Sequence, residues 1–448
     1  MTEWFGTDGL RAKTNGDFLT EQFVQCLARA IATTGSDVPR RALLAQDGRI
    51  SGDMLRASLA SGLMSAGWDV GDLGVLPTPG LAYLTRENDV SDGLMISASH
   101  NPYYDNGIKG FQPTGEKWTK DREETIESVQ RSDQINRCVN ERIGRYVSMA
   151  RGVDNYIADL SQSFRGFEGH VVLDCANGAT SSWAEKVFTD RCGKLTMIHH
   201  QPNGLNINES SGSMHPETLK NKVKSAGADI GFAFDGDGDR VVAVDDRGDL
   251  VNGDVLIYML ACHFSAANQL PGEGVIFTVM SNLGLRQALE AKNINYQVVG
   301  VGDRNVYNRM VENGWRLGGE QSGHLIDRQW LPTGDGIRTA CSVLRVLQRT
   351  NTPISEWNDR VKQYPQILHN IPVPAKLPLE QLEETSREIE QVENRLGEEG
   401  RILVRYSGTE PVARVMLEGS NPDDLEQYAH SIGEQLETEI NQTVESGP

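Results

Sequence analysis

The chain has 448 residues, 38% of them hydrophobic and 23% charged, with a formal net charge of -19. That length exceeds one ordinary core and predicts several domains. The acidity argues against nonspecific binding to nucleic acid or to an anionic membrane surface, and it requires that cations serving an anionic ligand be gathered locally.

The N-terminal stretch MTEWFGTDGLRAK has no basic region followed by an apolar one, so no secretory signal is expected. Three later segments share one grammar of buried strand, polar loop, helix and strand: ALLAQDGRISGDMLRASLASGLMSAGWDVGDLG, HVVLDCANGATSSWAEKVFTDRCGKLTMI and GVIFTVMSNLGLRQALEAKNINYQVVGV. Strands alternating with helices of this length predict β-α-β units and mixed or parallel sheets, hence three related α/β domains. The apolar helix DVLIYMLACHF is too short to span a bilayer and carries His263, which reads as a satisfied core residue. With no membrane segment, a cytoplasmic location is expected. Six cysteines stand singly, with no C-x-x-C pair, and read as reduced, mostly buried thiols.

After a Pro-rich connection (349–381) the grammar changes. An amphipathic helix (379–396), a strand ILVRYS, a turn, a strand VARVMLEG and a closing helix begun by SNPDD predict a small α+β domain. The expected organisation is an α/β protein with domains 1–150, 151–252, 253–364 and 365–448, the last α+β, around a central cleft. A hinge is expected near 364–374.

Chemistry concentrates in four loops. GFAFDGDGDRVVAVDD puts Asp235, Asp237 and Asp239 between two apolar runs that read as strands. Alternation of side chains, with Gly236 and Gly238 permitting a bend, would let the carboxylates converge. Unpaired, they would raise one another's pKa values, and a hard divalent cation, Mg²⁺ or Ca²⁺, would relieve this. The spacing rejects an EF-hand, because Arg240 stands where that loop needs Gly. A solvated surface cluster is the plain alternative, disfavoured by the apolar flanks.

In GLMISASHNPYYDNGIKGF, an apolar run opens onto Ser99 and His100, and Pro102 keeps this stretch a loop at a strand end. That suits an exposed nucleophile, although no G-x-S-x-G elbow surrounds it. RYSGTEPVARVMLEG supplies Arg405, Ser407, Gly408, Thr409 and Arg414, hydroxyls, turn N–H groups and guanidinium forks of the kind that cradle a phosphate. LGGEQSGHLI holds Glu320, Ser322 and His324, groups able to hydrogen-bond sugar hydroxyls.

SASHNP, DGDGDR, GEQSGH and RYSGTEP, in that order at domain-sized spacing, resemble the loops of the alpha-D-phosphohexomutase superfamily. FGTDGLR, GLNIN with GSMHPE, VMSNLGL, VGDR and TGDGI agree. Gln321 in GEQSGH, with GLNIN and SNLGL, is most similar to the superfamily's phosphoglucosamine mutases. Phosphomannomutase/phosphoglucomutase members are the alternative, and a metal-stabilised sugar-phosphate sensor is the non-enzymatic one.

The resemblance implies that Ser99 is a phosphoserine. It implies that Asp235, Asp237 and Asp239, with that phosphoserine, bind one Mg²⁺. Arg11, His100, Lys109 and Arg240 would ring the reacting phosphate, with Lys109 moving a proton. Glu320 and Ser322 would grip the sugar, and Arg405, Ser407, Gly408, Thr409 and Arg414 the distal phosphate, with His324 nearby. It also implies a small-molecule phosphosugar partner, glucosamine 1,6-bisphosphate as intermediate and activator, and a homodimer as a possible assembly. Ser97 stands where Thr is commoner, Ala12 where Gly is usual, and Tyr406 at a variable position.

Overall fold

The computed structural model describes residues 4–446, apart from 7, 17, 36–38, 133, 150–151 and 408–410. The chain forms two compact units. One comprises the chain up to Met280 together with Lys292–Arg360; the other comprises Ser281–Ala291 and the chain from Val361 onward.

The first unit contains three mixed sheets. Strands β1 (Leu10–Lys13), β2 (Arg41–Gln46), β3 (Asp69–Val75), β4 (Asp92–Ile96), β5 (Asp105–Phe111) and β6 (Tyr146–Ser148) form a sheet in the order β1-β5-β4-β2-β3-β6. Next come β7 (Phe167–Asp174), β8 (Cys192–Ile198), β9 (Ile230–Phe234), β10 (Val241–Asp245) and β11 (Leu250–Val251), ordered β11-β10-β9-β7-β8. The third sheet is β13-β12-β14-β15, from β12 (Gly274–Thr278), β13 (Asn295–Val299), β14 (Leu317–Gly319) and β15 (Leu325–Asp327).

Each sheet has a parallel core, β2 with β3 and β4, β7 with β8 and β9, β12 with β13 and β14. Each then turns back through an antiparallel hairpin, β4-β5, β9-β10 or β14-β15, and β1 and β11 extend the first two sheets by a further antiparallel pair. Strands β4, β9 and β10 are buried along their whole length, which is why residues 94–96, 230–234 and 241–244 read as unbroken apolar runs. The serine, aspartate and GEQSGH loops close these three hairpins. The same topological place is thus used three times, as the repeated grammar of the sequence implies.

The helix Gly253–Ala266 is buried on nearly every side, which accounts for its apolar composition, and among the described residues no helix is long and apolar enough to cross a membrane. His263 on it is half-buried, and burial together with neighbouring arginines pushes its pKa down to about 4. Of the six cysteines only Cys175 and Cys341 are fully buried; the others are half-buried, and all six are free thiols.

The second unit is a three-stranded antiparallel sheet, β16-β18-β17, with β16 (Gln366–Pro372), β17 (Arg401–Tyr406) and β18 (Val412–Glu418). Helices Glu383–Leu396 and Pro422–Ser446 share its core, built from Ile371, Val392, Val415, Leu417, Leu425 and Ile432. Strand β16 lies inside what the sequence presents as a Pro-rich connection. As an edge strand it pairs only with β18, so Pro372 at its end costs no central ladder bond.

The helix of the third repeat, Leu283–Glu290, also belongs to this unit. Asn282 caps it, and its amide exchanges two hydrogen bonds with the backbone of Tyr364 (2.9 and 3.1 Å). The segment where a hinge is expected therefore begins at a fixed residue. Glu418, fully buried, accepts from Leu283 N–H (3.0 Å), Gln366 Nε2 (2.9 Å) and Arg401 Nε. Its replacement, Glu418→Ala, would strand a buried guanidinium contact and a backbone donor. The expected loss is about 3–5 kcal/mol, read as a lowered denaturant midpoint for the transition that reports this unit.

Candidate active site

The three aspartates converge, but through a turn rather than by alternation along an extended strand. Asp235 follows the end of β9, Gly238 N–H donates to Asp235 O (3.1 Å), and Gly238 takes a left-handed φ of +73°. Carboxylate oxygens of Asp235, Asp237 and Asp239 then lie within 4.8 Å of one another, all buried. Gly236 serves a different purpose from Gly238. A Cβ on it would stand 2.6 Å from Ser99 O, so it is the close approach of the serine loop that demands glycine there.

That approach brings Ser99 Oγ to 2.6 Å from Asp235 Oδ2, as donor to the carboxylate. Ser99 is buried with φ of +53°, and its Oγ is 3.5 Å from His100 Nδ1. Asp237 Oδ2 accepts from Thr78 Oγ1 (2.6 Å) and Lys109 Nζ (2.8 Å), and Lys109 is also 3.4 Å from Asp239 and 3.1 Å from Asp8. Asp237 Oδ1 and Asp239 Oδ1 are buried without a hydrogen-bond partner. Two orphaned carboxylate oxygens beside a third carboxylate form a hard, all-oxygen donor set, and the triad can hold a metal ion.

Electrostatics divides the triad. Burial, then Asp239 and Asp237, pushes Asp235 well above the usual carboxylate range. Burial acts the same way on Asp239, but Lys109, His324 and Arg240 outweigh it and hold Asp239 well below. Burial disfavours the Lys109 ammonium, and Asp237, Asp8 and Asp239 more than restore it, so its pKa is raised. His100 is pushed down to about 4 by burial and by the guanidiniums of Arg240 and Arg11, and is neutral at pH 7.

A cavity of about 340 Å³ opens beside these groups, lined by Arg11, His100, Asp239, Arg240, Glu320 and His324, and also by Asp8, Lys117, Gly302 and Asp303. Arg240 reaches His100 Nδ1 (3.2 Å). Glu320 accepts from Gly302 N–H (3.1 Å), which aims the GEQSGH turn at the cavity, while Ser322 beside it is exposed. His324 is fixed between sheets: Gly334 N–H donates to its Nε2 (3.1 Å), and its Nδ1 faces Asp239 Oδ1 at 3.6 Å. TGDGI packs against the aspartate turn, with Gly336 N–H donating to Gly238 O (3.0 Å).

In the second unit, Arg405 on β17 and Arg414 on β18 stand directly opposite each other. Like charges in that register repel, and burial followed by Arg414 lowers the Arg405 pKa. Buried Ser407 lies beside them in sequence, and Lys376 Nζ donates to its carbonyl (2.6 Å). Such a cluster is suited to an anion. Gly408 and Thr409 lie outside the described residues.

Comparison with known proteins agrees with this geometry. Four segments match phosphoglucomutase/phosphomannomutase descriptions: alpha/beta/alpha domain I at residues 2–136, domain II at 146–248, domain III at 252–364 and the C-terminal domain at 368–435. The chain belongs to the phosphoglucomutase/phosphomannomutase family. It is 43% identical over 446 residues to a phosphoglucosamine mutase of Oceanobacillus iheyensis, covering 98% of this chain and all of that one.

Among solved structures, a family protein from Burkholderia thailandensis superposes with a TM-score of 0.81 at 23% identity, covering 97% of both chains. The N-acetylphosphoglucosamine mutase of Aspergillus fumigatus, in complex with GlcNAc-6P and magnesium, superposes at 0.67 with 15% identity, covering 98% of this chain and 96% of that one. As a member of this family the protein is a mutase.

Several polar groups of the mutase were not assigned from sequence. Asp8 ion-pairs with Arg11, Lys109 and Lys117, and Lys117 also pairs with Asp303. FGTDGLR and VGDR flagged Asp8 and Asp303 only as part of a resemblance; Lys117, in GEKW, gave no signal. Lys376 lay in the segment read as a linker.

Because the nearest atom to a Cβ at Gly236 is the backbone Ser99 O, with Asn208 and Ile207 side chains also closer than 3.0 Å, Gly236→Ala must push the serine loop from the triad. We expect turnover to fall about 100-fold with a folded enzyme by circular dichroism. Wild-type turnover in that variant would show that the close contact is dispensable.

Proposed function

We propose that the enzyme interconverts glucosamine 6-phosphate and glucosamine 1-phosphate through a phosphoserine at Ser99. The observation that carries this reading is the Ser99 hydroxyl 2.6 Å from Asp235 within a buried carboxylate triad. The choice of amino sugar rests on the phosphoglucosamine mutase relative at 43% identity. Phosphomannomutase/phosphoglucomutase activity is not favoured.

In the proposed cycle Ser99 gives its phosphoryl group to the free hydroxyl of the monophosphate, producing glucosamine 1,6-bisphosphate. The bisphosphate turns over, and the other phosphoryl group returns to Ser99. Asp235, Asp237 and Asp239, with an oxygen of the phosphorylated serine, would hold one Mg²⁺, which would neutralise charge on the transferring group as a Lewis acid. Arg11, Arg240 and neutral His100 orient the reacting phosphate, and Lys109, kept as an ammonium by Asp237, Asp8 and Asp239, is assigned the proton-transfer role as the donor. Glu320 and Ser322 hold the sugar hydroxyls, with His324 positioning the base of their loop. We assign Arg405, Ser407, Gly408, Thr409 and Arg414 to the non-reacting phosphate, whose charge would quiet the Arg405–Arg414 repulsion.

Phosphoryl transfer depends chiefly on positioning and electrostatic stabilisation, and this arrangement supplies both. Since its substrates are sugar phosphates, we place the enzyme in the cytoplasm, supplying amino-sugar nucleotide synthesis. We retain a homodimer as its assembly; light scattering at the monomer mass would exclude it.

Turnover of glucosamine 6-phosphate, mannose 1-phosphate and glucose 1-phosphate, each with its bisphosphate as activator, should favour the amino sugar. A clear preference for a neutral hexose phosphate would overturn the assignment. Ser99→Ala should lower turnover about a thousandfold or more and remove phosphate from the peptide containing residue 99. Chelation should silence the parent enzyme reversibly, with recovery on adding Mg²⁺.

A further inference from the structure

GLNIN is the sequence motif that the proposed cycle leaves without a task. Its last residue, Asn208, sits in a left-handed conformation (φ +59°), which asparagine tolerates better than most side chains. Its side-chain Nδ2 donates to two carbonyls of the serine loop, Ser99 O (2.8 Å) and Asn101 O (2.9 Å). The same two carbonyls accept from Arg49, whose Nη2 lies 2.8 Å from each. Arg49 is fully buried. Its Nη1 donates to Asp105 O (3.0 Å) and to Pro102 O, and its Nε to Asp47 Oδ2 (2.9 Å).

The Asp47 carboxylate extends the contact to the nucleophile's own backbone. Asp47 Oδ2 accepts from Ser97 Oγ (2.6 Å), and Ser97 Oγ accepts from Ser99 N–H (2.8 Å). The peptide groups on both sides of Ser99 are therefore gripped, one through Ser97 and the other by Arg49 and Asn208. Ser99 needs such a grip. A non-glycine residue at φ +53° is held in a sparsely populated conformation that persists only where its surroundings over-determine it.

We infer that Asn208 and Arg49 form a two-sided clamp on the Ser99 and Asn101 carbonyls that holds the Ser99 hydroxyl in register with the aspartate triad. They are positioning residues and touch no reacting atom. Arg49 comes from the loop after β2 in the first sheet and Asn208 from the segment between β8 and β9 in the second, so the clamp also ties the serine loop to the sheet that carries the aspartates. Ser97 fits the same scheme, since its hydroxyl links Asp47 to the Ser99 N–H.

The kinetic consequences rest on the proposed mutase cycle; the clamp itself does not. Asn208→Gly keeps the left-handed backbone and removes the donor. Asn208→Asp keeps the size and sets a carboxylate against two carbonyls. We expect kcat to fall about tenfold or more in both, with KM for the sugar phosphate within threefold and the unfolding midpoint within a few degrees of the parent. Because Arg49 and Asn208 share acceptors, Arg49→Lys combined with Asn208→Gly should lose less than the product of the single losses.

A kcat within twofold of the parent in both Asn208 variants would overturn the inference, as would a loss of kcat accounted for by a smaller folded fraction. Amide exchange at residues 99–101, which needs no turnover, separates this test from that of the cycle. Faster exchange there in Asn208→Gly supports the clamp, and unchanged protection overturns it, whatever substrate the parent accepts.

Discussion

Three carboxylates enclosed together within 4.8 Å repel one another strongly in a poorly polarisable interior, and the surrounding architecture answers that repulsion. Lys109 reaches Asp237 and Asp239 from β5, Thr78 donates to Asp237, and Arg240 N–H donates to Asp235. These groups compensate the cluster only in part, since two of its oxygens keep no donor. The remaining deficit makes the site receptive to a divalent cation, and the hydroxyl of Ser99 is held at its edge.

The cations that satisfy the aspartates are themselves satisfied by further anions. Asp8 pairs with Lys109, Arg11 and Lys117, and Lys117 passes on to Asp303 at the start of a helix in the third sheet's layer. A chain of alternating charge thereby crosses from the first sheet to the third along the cavity wall. Lys109 is fully buried and the others are partly buried, each beside a partner of opposite sign, the condition under which interior charge is tolerated. Removing one member leaves the next unpaired, so Asp8, Arg11, Lys117 and Asp303 each shape the field inside the cavity they line.

Much of this was legible in the sequence because local rules and tertiary demand coincide. β4, β9 and β10 carry apolar runs since both faces are covered, and the aspartate loop between two such runs reads directly as a strand connection. Legibility failed where a residue's importance comes from a distant partner. Arg49 and Asn208 look like ordinary loop residues until both are seen on the carbonyls of Ser99 and Asn101. Lys117 carried no pattern at all. β16 was hidden because prolines at its borders signal a linker, although an edge strand accommodates them. The convergence of the aspartates was anticipated while its cause was not: a turn achieves what strand alternation would have left several ångströms apart.

The serine and aspartate loops are bound together by segments as far apart in the chain as Asp8, Arg49, Asn208 and Gly336. During synthesis, residue 99 leaves the ribosome long before the strand that presents the triad, and longer still before TGDGI is available to brace it. Until residues 235–239 have emerged, the serine has no triad carboxylate beside it. A growing or truncated chain that stops short of residue 239 lacks the triad altogether, and one that stops short of TGDGI lacks the bond by which Gly336 braces the triad's turn.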